Sequence, residues 1–162
     1  MVTASEYAKL IGYKKWADSG LYRVVAEHLD RLADFDKVVV LQVLDHMHAV
    51  DRIFQHHLLG TRHGYERARS TEPMPFAVLG EQVRELDDWY VDYVGALPED
   101  RIDETIDFAF TNGAPARMRR GDMLLHVALH GTYHRGNAGI LLQKNGVAPN
   151  DDRLTDFLGA EL

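Results

Sequence analysis

The chain of 162 residues carries 18 Lys and Arg against 25 Asp and Glu, a formal net charge of −7 with histidine neutral. Hydrophobic residues at 46% and charged residues at 27% exclude disorder for its bulk and suit a single domain over residues 1–162. The absence of cysteine excludes disulfides, thiolate metal sites and a cysteine nucleophile, so any metal must be held by His, Asp or Glu, and the nine histidines become the informative residues.

Residues 5–29 repeat apolar side chains at Leu10, Tyr13, Ala17, Leu21, Val24 and Val25, the spacing of one helical face, and Thr3 with Glu6 reads as a capping box. A second amphipathic helix is expected over 36–59, with Val39, Val43, Val50, Ile53 and Phe54 on its stripe and Gly60 as its stop. Residues 60–72 are polar and read as a crossover loop, after which Pro73 opens a third helix carrying Phe76, Leu79, Val83, Leu86, Tyr90, Tyr93 and Leu97. The period breaks over 102–119, where Ile106, Phe108 and Phe110 alternate ahead of Asn112-Gly113, the signature of a hairpin or extended excursion. It returns over 121–145 and ends at Gly146, and Leu154, Phe157 and Leu158 suggest a short terminal helical turn. The expected fold is all-α, a four-helix bundle with a short hairpin between the third and fourth helices.

The N-terminal stretch has no apolar signal core, and no stretch approaches the roughly 18 apolar residues of a membrane span, so a cytoplasmic protein without a membrane partner is expected. Acidic charge with scattered basic residues gives no footprint for nucleic acid. Arg117, Arg119 and Arg120 form the dense basic cluster and read as partners for local acids, with an acidic substrate as the sharper alternative.

His126, His130 and His134 are spaced i, i+4, i+8. A helix rises about 1.5 Å per residue, so one ion can join histidines about 6 Å apart in height but not the outer two at about 12 Å. Spacing therefore allows 126/130 or 130/134. Met123, Val127, Asn137 and Leu141 share the face of His130, so these imidazoles point toward the core, where a stripe of them is hard to satisfy by ordinary hydrogen bonds. His46 shares the inward stripe of the second helix. His48 falls on the side of Asp51, Arg52 and Gln55 and is expected in solvent, and His56 and His57 are expected to sit protonated on the C-terminal dipole. His126 reads as a core histidine donating to a neighbour. His46, His130 and His134 are thus candidates for a three-nitrogen site spanning two helices, with open coordination positions. Arg135 points off this face toward Asp51 or Asp18, and Ala128, Thr132, Gly136 and Gly139 form a small-residue side suited to close packing within the bundle or across a dimer.

L-D-H-M-H-A-V-D-R-I-F (44–54) and H-G-T-Y-H-R-G-N-A-G (130–139) resemble the two signatures of the DinB/YfiT-like family of helical metal proteins. Y-K-K-W-A-D (13–18) and D-R-L-T-D-F-L (152–158) are similar to further family segments. The resemblance implies a divalent metal on His46, His130 and His134, choosing the 130/134 pair that spacing leaves open. Zn is the default ion, with Ni or Fe as alternatives, because imidazole suits all three. Asn137 stands where the family usually has Gln, and Phe54 where it often has Trp. The expected function is activation of water or a thiol for transfer or hydrolysis on a small molecule, with a low-molecular-weight thiol as a candidate partner, in a homodimer. The alternative is a non-catalytic dimeric binding module whose metal is structural or absent.

Overall fold

The computed structural model describes residues 3–72 and 74–160; Pro73, expected to open the third helix, lies outside the described residues. Helix α1 (Ala4–His28) begins with the expected capping box: Thr3 Oγ1 accepts the Glu6 N–H at 3.3 Å while the Glu6 carboxylate accepts the Thr3 N–H at 2.7 Å. Helix α2 (Asp34–Leu59) stops at Gly60, whose φ of 68° is a conformation that favours glycine. Helix α3 (Phe76–Gly95) buries Leu79, Val83, Leu86, Tyr90 and Val94 at helical spacing, and Leu97 falls beyond its end. Strands β1 (Thr105–Ala109) and β2 (Pro115–Arg119) form an antiparallel hairpin in which Ile106 faces Met118 and Phe108 faces Ala116. The connection is wider than a two-residue turn: Phe110 N–H donates to Ala114 O at 2.9 Å, and Gly113 takes a φ of 81°. Helix α4 (Arg120–Lys144) follows directly, and α5 (Leu154–Ala160) is a short terminal helix.

The four long helices form the bundle: α1 packs on α3 and α4, and α2 packs on α4 and α3, so α1 and α2 are diagonal. Two apolar cores occupy its two ends. One gathers Ile11, Phe54, Leu58, Tyr90, Leu124 and Val127; the other gathers Leu21, Val25, Leu44, Leu79, Ala138 and Leu142. Between them lies a polar waist of Lys14, Asp18, Asp51, Asp87 and Arg135, all buried. The residue numbers of the histidine stripe place it at this same level of α2 and α4.

The basic cluster is paired with local acids, as its sequence suggests. Arg117 pairs with Asp107, Arg119 with Asp103 and Asp122, and Arg120 with Glu104. Arg120 also donates to Leu58 O and the Tyr93 hydroxyl, which ties the hairpin's exit to α2 and α3. The small-residue side of α4 divides: Ala128 is buried, Gly139 faces Pro149, and Gly136 has open space. No helix among the described residues is long and apolar enough to cross a membrane.

Candidate metal centre

Because α2 packs against α4, His46 meets His130 and His134, which sit one turn apart. Ring centroids lie 4.9 Å apart for His46 and His130, 4.6 Å for His46 and His134, and 4.4 Å for His130 and His134. One ring nitrogen from each falls within 4.8 Å of the others, and the Nε2 atoms of His46 and His130 are 3.0 Å apart. Tetrahedral ligands held at about 2.0–2.1 Å would stand about 3.3 Å apart, so the His46–His130 pair would open by a few tenths of an ångström around an ion.

His46 is oriented from outside the bundle. Its Nδ1 lies 2.5 Å from the carbonyl oxygen of Ala68 in the crossover loop. A carbonyl only accepts, so Nδ1 carries the proton and the Nε2 lone pair faces the centre. Burial, reinforced by His134 and His46, pushes the His130 pKa down to about 3, and burial with His46 lowers that of His134. These two imidazoles are therefore neutral at neutral pH, the form that ligates a metal. Asn137, one methylene shorter than the Gln of the family, ends 3.5 Å from His134 Nδ1, at the outer limit of a hydrogen bond.

His126 lies outside this group. It is not a core histidine donating to a neighbour: it is exposed, with its ring stacked on Phe54 at 4.6 Å. His48 is not in solvent either, being 2% exposed with neither ring nitrogen hydrogen-bonded. The crossover loop packs on the polar side of α2 at Asp45, which accepts the Ser70 N–H; Asp51, on the same side in sequence terms, is buried on Lys14, and Gln55 is buried as well. His57 is buried beside Phe54 and Phe108, and burial, with His63 and His56 adding, lowers its pKa to about 4. His56 is lowered too, mainly by burial. Neither carries the proton expected at the helix C-terminus, because desolvation outweighs the dipole there.

A second group with metal-like geometry, Asp18, Asp51 and Asp87, encloses Lys14 Nζ at 2.7, 2.8 and 2.6 Å. The ammonium thus fills the cation position. Burial pushes the Asp51 carboxyl up to about 6 and that of Asp87 to about 7, while Lys14 and Arg135 overcome burial at Asp18 and hold it low. Arg135 pairs with Asp18, one of the expected acids, and also with Asp152. Sequence reasoning missed Lys14; the available signals were Asp18 four residues on and Asp87 four residues after Val83, on the apolar stripe of α3.

A bundle with a hairpin before its last helix, and three converging histidines free of protein carboxylate, is a helical protein able to hold a divalent ion with open coordination positions. The chain belongs to the DinB family: the model of that family matches residues 1–161. No curated protein and no solved structure matches it.

Proposed function

We propose that His46, His130 and His134 bind one divalent ion, with Zn favoured and Ni or Fe as alternatives, and that the chain uses the remaining coordination positions to activate water or a low-molecular-weight thiol for hydrolysis or transfer on a small molecule. The observation that carries this reading is the convergence of three imidazole nitrogens within 4.8 Å on rigid helices. Three neutral ligands leave the ion its full charge, so when bound it pulls the pKa of a coordinated water toward about 7 and deprotonates a coordinated thiol outright. Ala68 sets the tautomer of His46, and the low proton affinity of His130 keeps it available as a ligand near neutral pH. Arg117, Arg119 and Arg120 are engaged with carboxylates and are not assigned to the substrate. The test is a screen of low-molecular-weight thiols with electrophilic and hydrolysable substrates. Turnover that rises through neutral pH, vanishes on chelation or in His130→Ala and returns with added metal supports the reading. Absence of turnover in metal-loaded protein, with only thermal stability lost in His130→Ala, makes the metal structural.

One observation favours a homodimer in either case. Leu125, Leu129, Tyr133 and Ile140 are exposed by 38, 57, 68 and 66% and lie along one side of α4 beside the histidines. A second copy burying this stripe would cover the side of the centre. Light scattering of the native chain and of Leu129→Glu tests it: a dimer that the variant converts to monomer supports the assembly, and a native monomer refutes it.

A further inference from the structure

The three imidazoles of the centre are steadied in different ways. His46 donates from Nδ1 to the Ala68 carbonyl, and His134 has the Asn137 amide 3.5 Å from its Nδ1. His130 has neither device. Its Nε2 faces His46 Nε2 at 3.0 Å, which leaves Nδ1 to anchor the ring, yet Nδ1 is buried without a hydrogen-bond partner in the protein. Ligating histidines ordinarily use that second nitrogen to fix their orientation. The terminal torsion of a histidine is broad, so packing must fix the plane of this ring instead.

His126, one turn earlier on α4, supplies that packing. Its ring lies nearly parallel to that of His130, tilted by 23° with centroids 5.6 Å apart, and it is stacked in turn on Phe54, at 29° and 4.6 Å. Both separations belong to offset stacking. Phe54 is 7% exposed and sits in an apolar core, so the stack has a rigid base. The rings of His46 and His134 meet His130 edge-on instead, at 64° and 62°. An ion on Nε2 withdraws charge from the His130 ring, and an electron-poor ring is drawn more strongly to the face of an aromatic neighbour. The contact is made by the face of the His126 ring, which phenylalanine presents equally well.

We infer, resting on the three-histidine reading of the ion site, that His126 is its positioning residue: not a ligand, it carries a stack from Phe54 to His130 and holds the plane of that ring where no hydrogen bond does.

Competition for Zn²⁺ with a chromophoric chelator, and the visible spectrum of the Co²⁺-loaded chain, test this in native protein, His126→Ala and His126→Phe. His126 is exposed, so both variants are expected to fold, which circular dichroism checks; should His126→Ala fail to fold, His126→Leu, which fills the space without a flat ring, takes its place. His126→Ala keeps one ion per chain but binds Zn²⁺ at least about tenfold more weakly, and its Co²⁺ bands shift as the His130 nitrogen leaves its place. His126→Phe keeps the native bands and an affinity within about twofold of native. Affinity and bands unchanged in His126→Ala overturn the inference. So does a His126→Phe variant as weak as His126→Ala, which would assign the effect to a ring nitrogen, and loss of the ion in both variants, which would make His126 a ligand. These outcomes leave an ion site in place; failure of the native chain to bind any ion removes the three-histidine centre and the inference with it.

Discussion

The carbonyl oxygen of Ala68 stands 2.5 Å from Nδ1 of His46, so a loop outside the four helices sets the tautomer of a histidine within them. Backbone carbonyls serve this purpose at many metal sites, and losing such support typically weakens metal binding about 10–100-fold without abolishing it. Replacing residues 67–70 with four glycines is therefore expected to lower zinc affinity by at least about tenfold while the helical content stays native. Competition with a chromophoric chelator, beside circular dichroism, measures both; unchanged affinity would show that His46 needs no help from the loop.

The waist of the bundle makes a contrasting pair of predictions. Lys14 is the shared partner of three buried carboxylates, of which only Asp18 has a second cation in Arg135, so Lys14→Met strands Asp51 and Asp87 and is expected to destabilise the protein by about 3–5 kcal/mol. Burial raises the Asp87 pKa furthest of the three, so its charge is the one the site favours least. Its neutral isostere in Asp87→Asn is expected to change stability by less than about 1.5 kcal/mol, the scale of one ordinary hydrogen bond. Urea unfolding of metal-free protein separates the two, and equal losses would contradict the assignment of Lys14 as the centre of the network.

Periodicity carried the fold because four segments bury one stripe each: α1 was expected over 5–29 and spans Ala4–His28, and α2 was expected from 36 and starts at Asp34. The hairpin was legible for the same reason, in its alternation of Ile106 and Phe108. The polar side of α2 was not. A helical wheel reports the direction of a side chain but not what covers it, and the crossover loop, which has no periodicity, packs over Asp45. His48 and Lys14 were hidden by this limit, since both lie on charged sectors that a single helix would turn to water. The 130/134 pairing was undecidable from spacing alone, and a bond from the Ala68 carbonyl leaves no mark on side-chain identity.

His57 makes stability depend on pH in a definite direction. An unfolded histidine takes up its proton near pH 6.5, while the folded one waits until about 4, chiefly because of burial. The unfolded state therefore binds more protons between these values, and the stability His57 contributes above pH 6.5 is lost as pH falls toward 4. His57→Phe keeps an aromatic ring against Phe108 and removes the titration. The melting temperature of the variant is expected to fall less between pH 7 and 5 than that of the native chain; parallel curves would contradict this.

Arg135 joins α4 to α1 through Asp18 and to the C-terminal segment through both oxygens of Asp152. A lysine keeps the charge but cannot present two parallel donors to Asp152. Arg135→Lys is expected to cost about 1–3 kcal/mol and to speed proteolysis within residues 146–160, because Asp152 loses its paired guanidinium bonds and keeps Tyr13 as its remaining side-chain tie. Limited proteolysis read by mass spectrometry checks this, and an unchanged cleavage rate would assign the anchoring to Tyr13.

The most direct measurement is calorimetric titration of chelator-treated protein with Zn²⁺, supported by elemental analysis of the product. One ion per chain is expected, lost in His46→Ala, His130→Ala and His134→Ala and retained in His126→Ala and His63→Ala, since His126 and His63 lie outside the converging group. Failure of the native chain to bind any ion, or loss of binding in His126→Ala with retention in His134→Ala, would contradict the three-histidine centre.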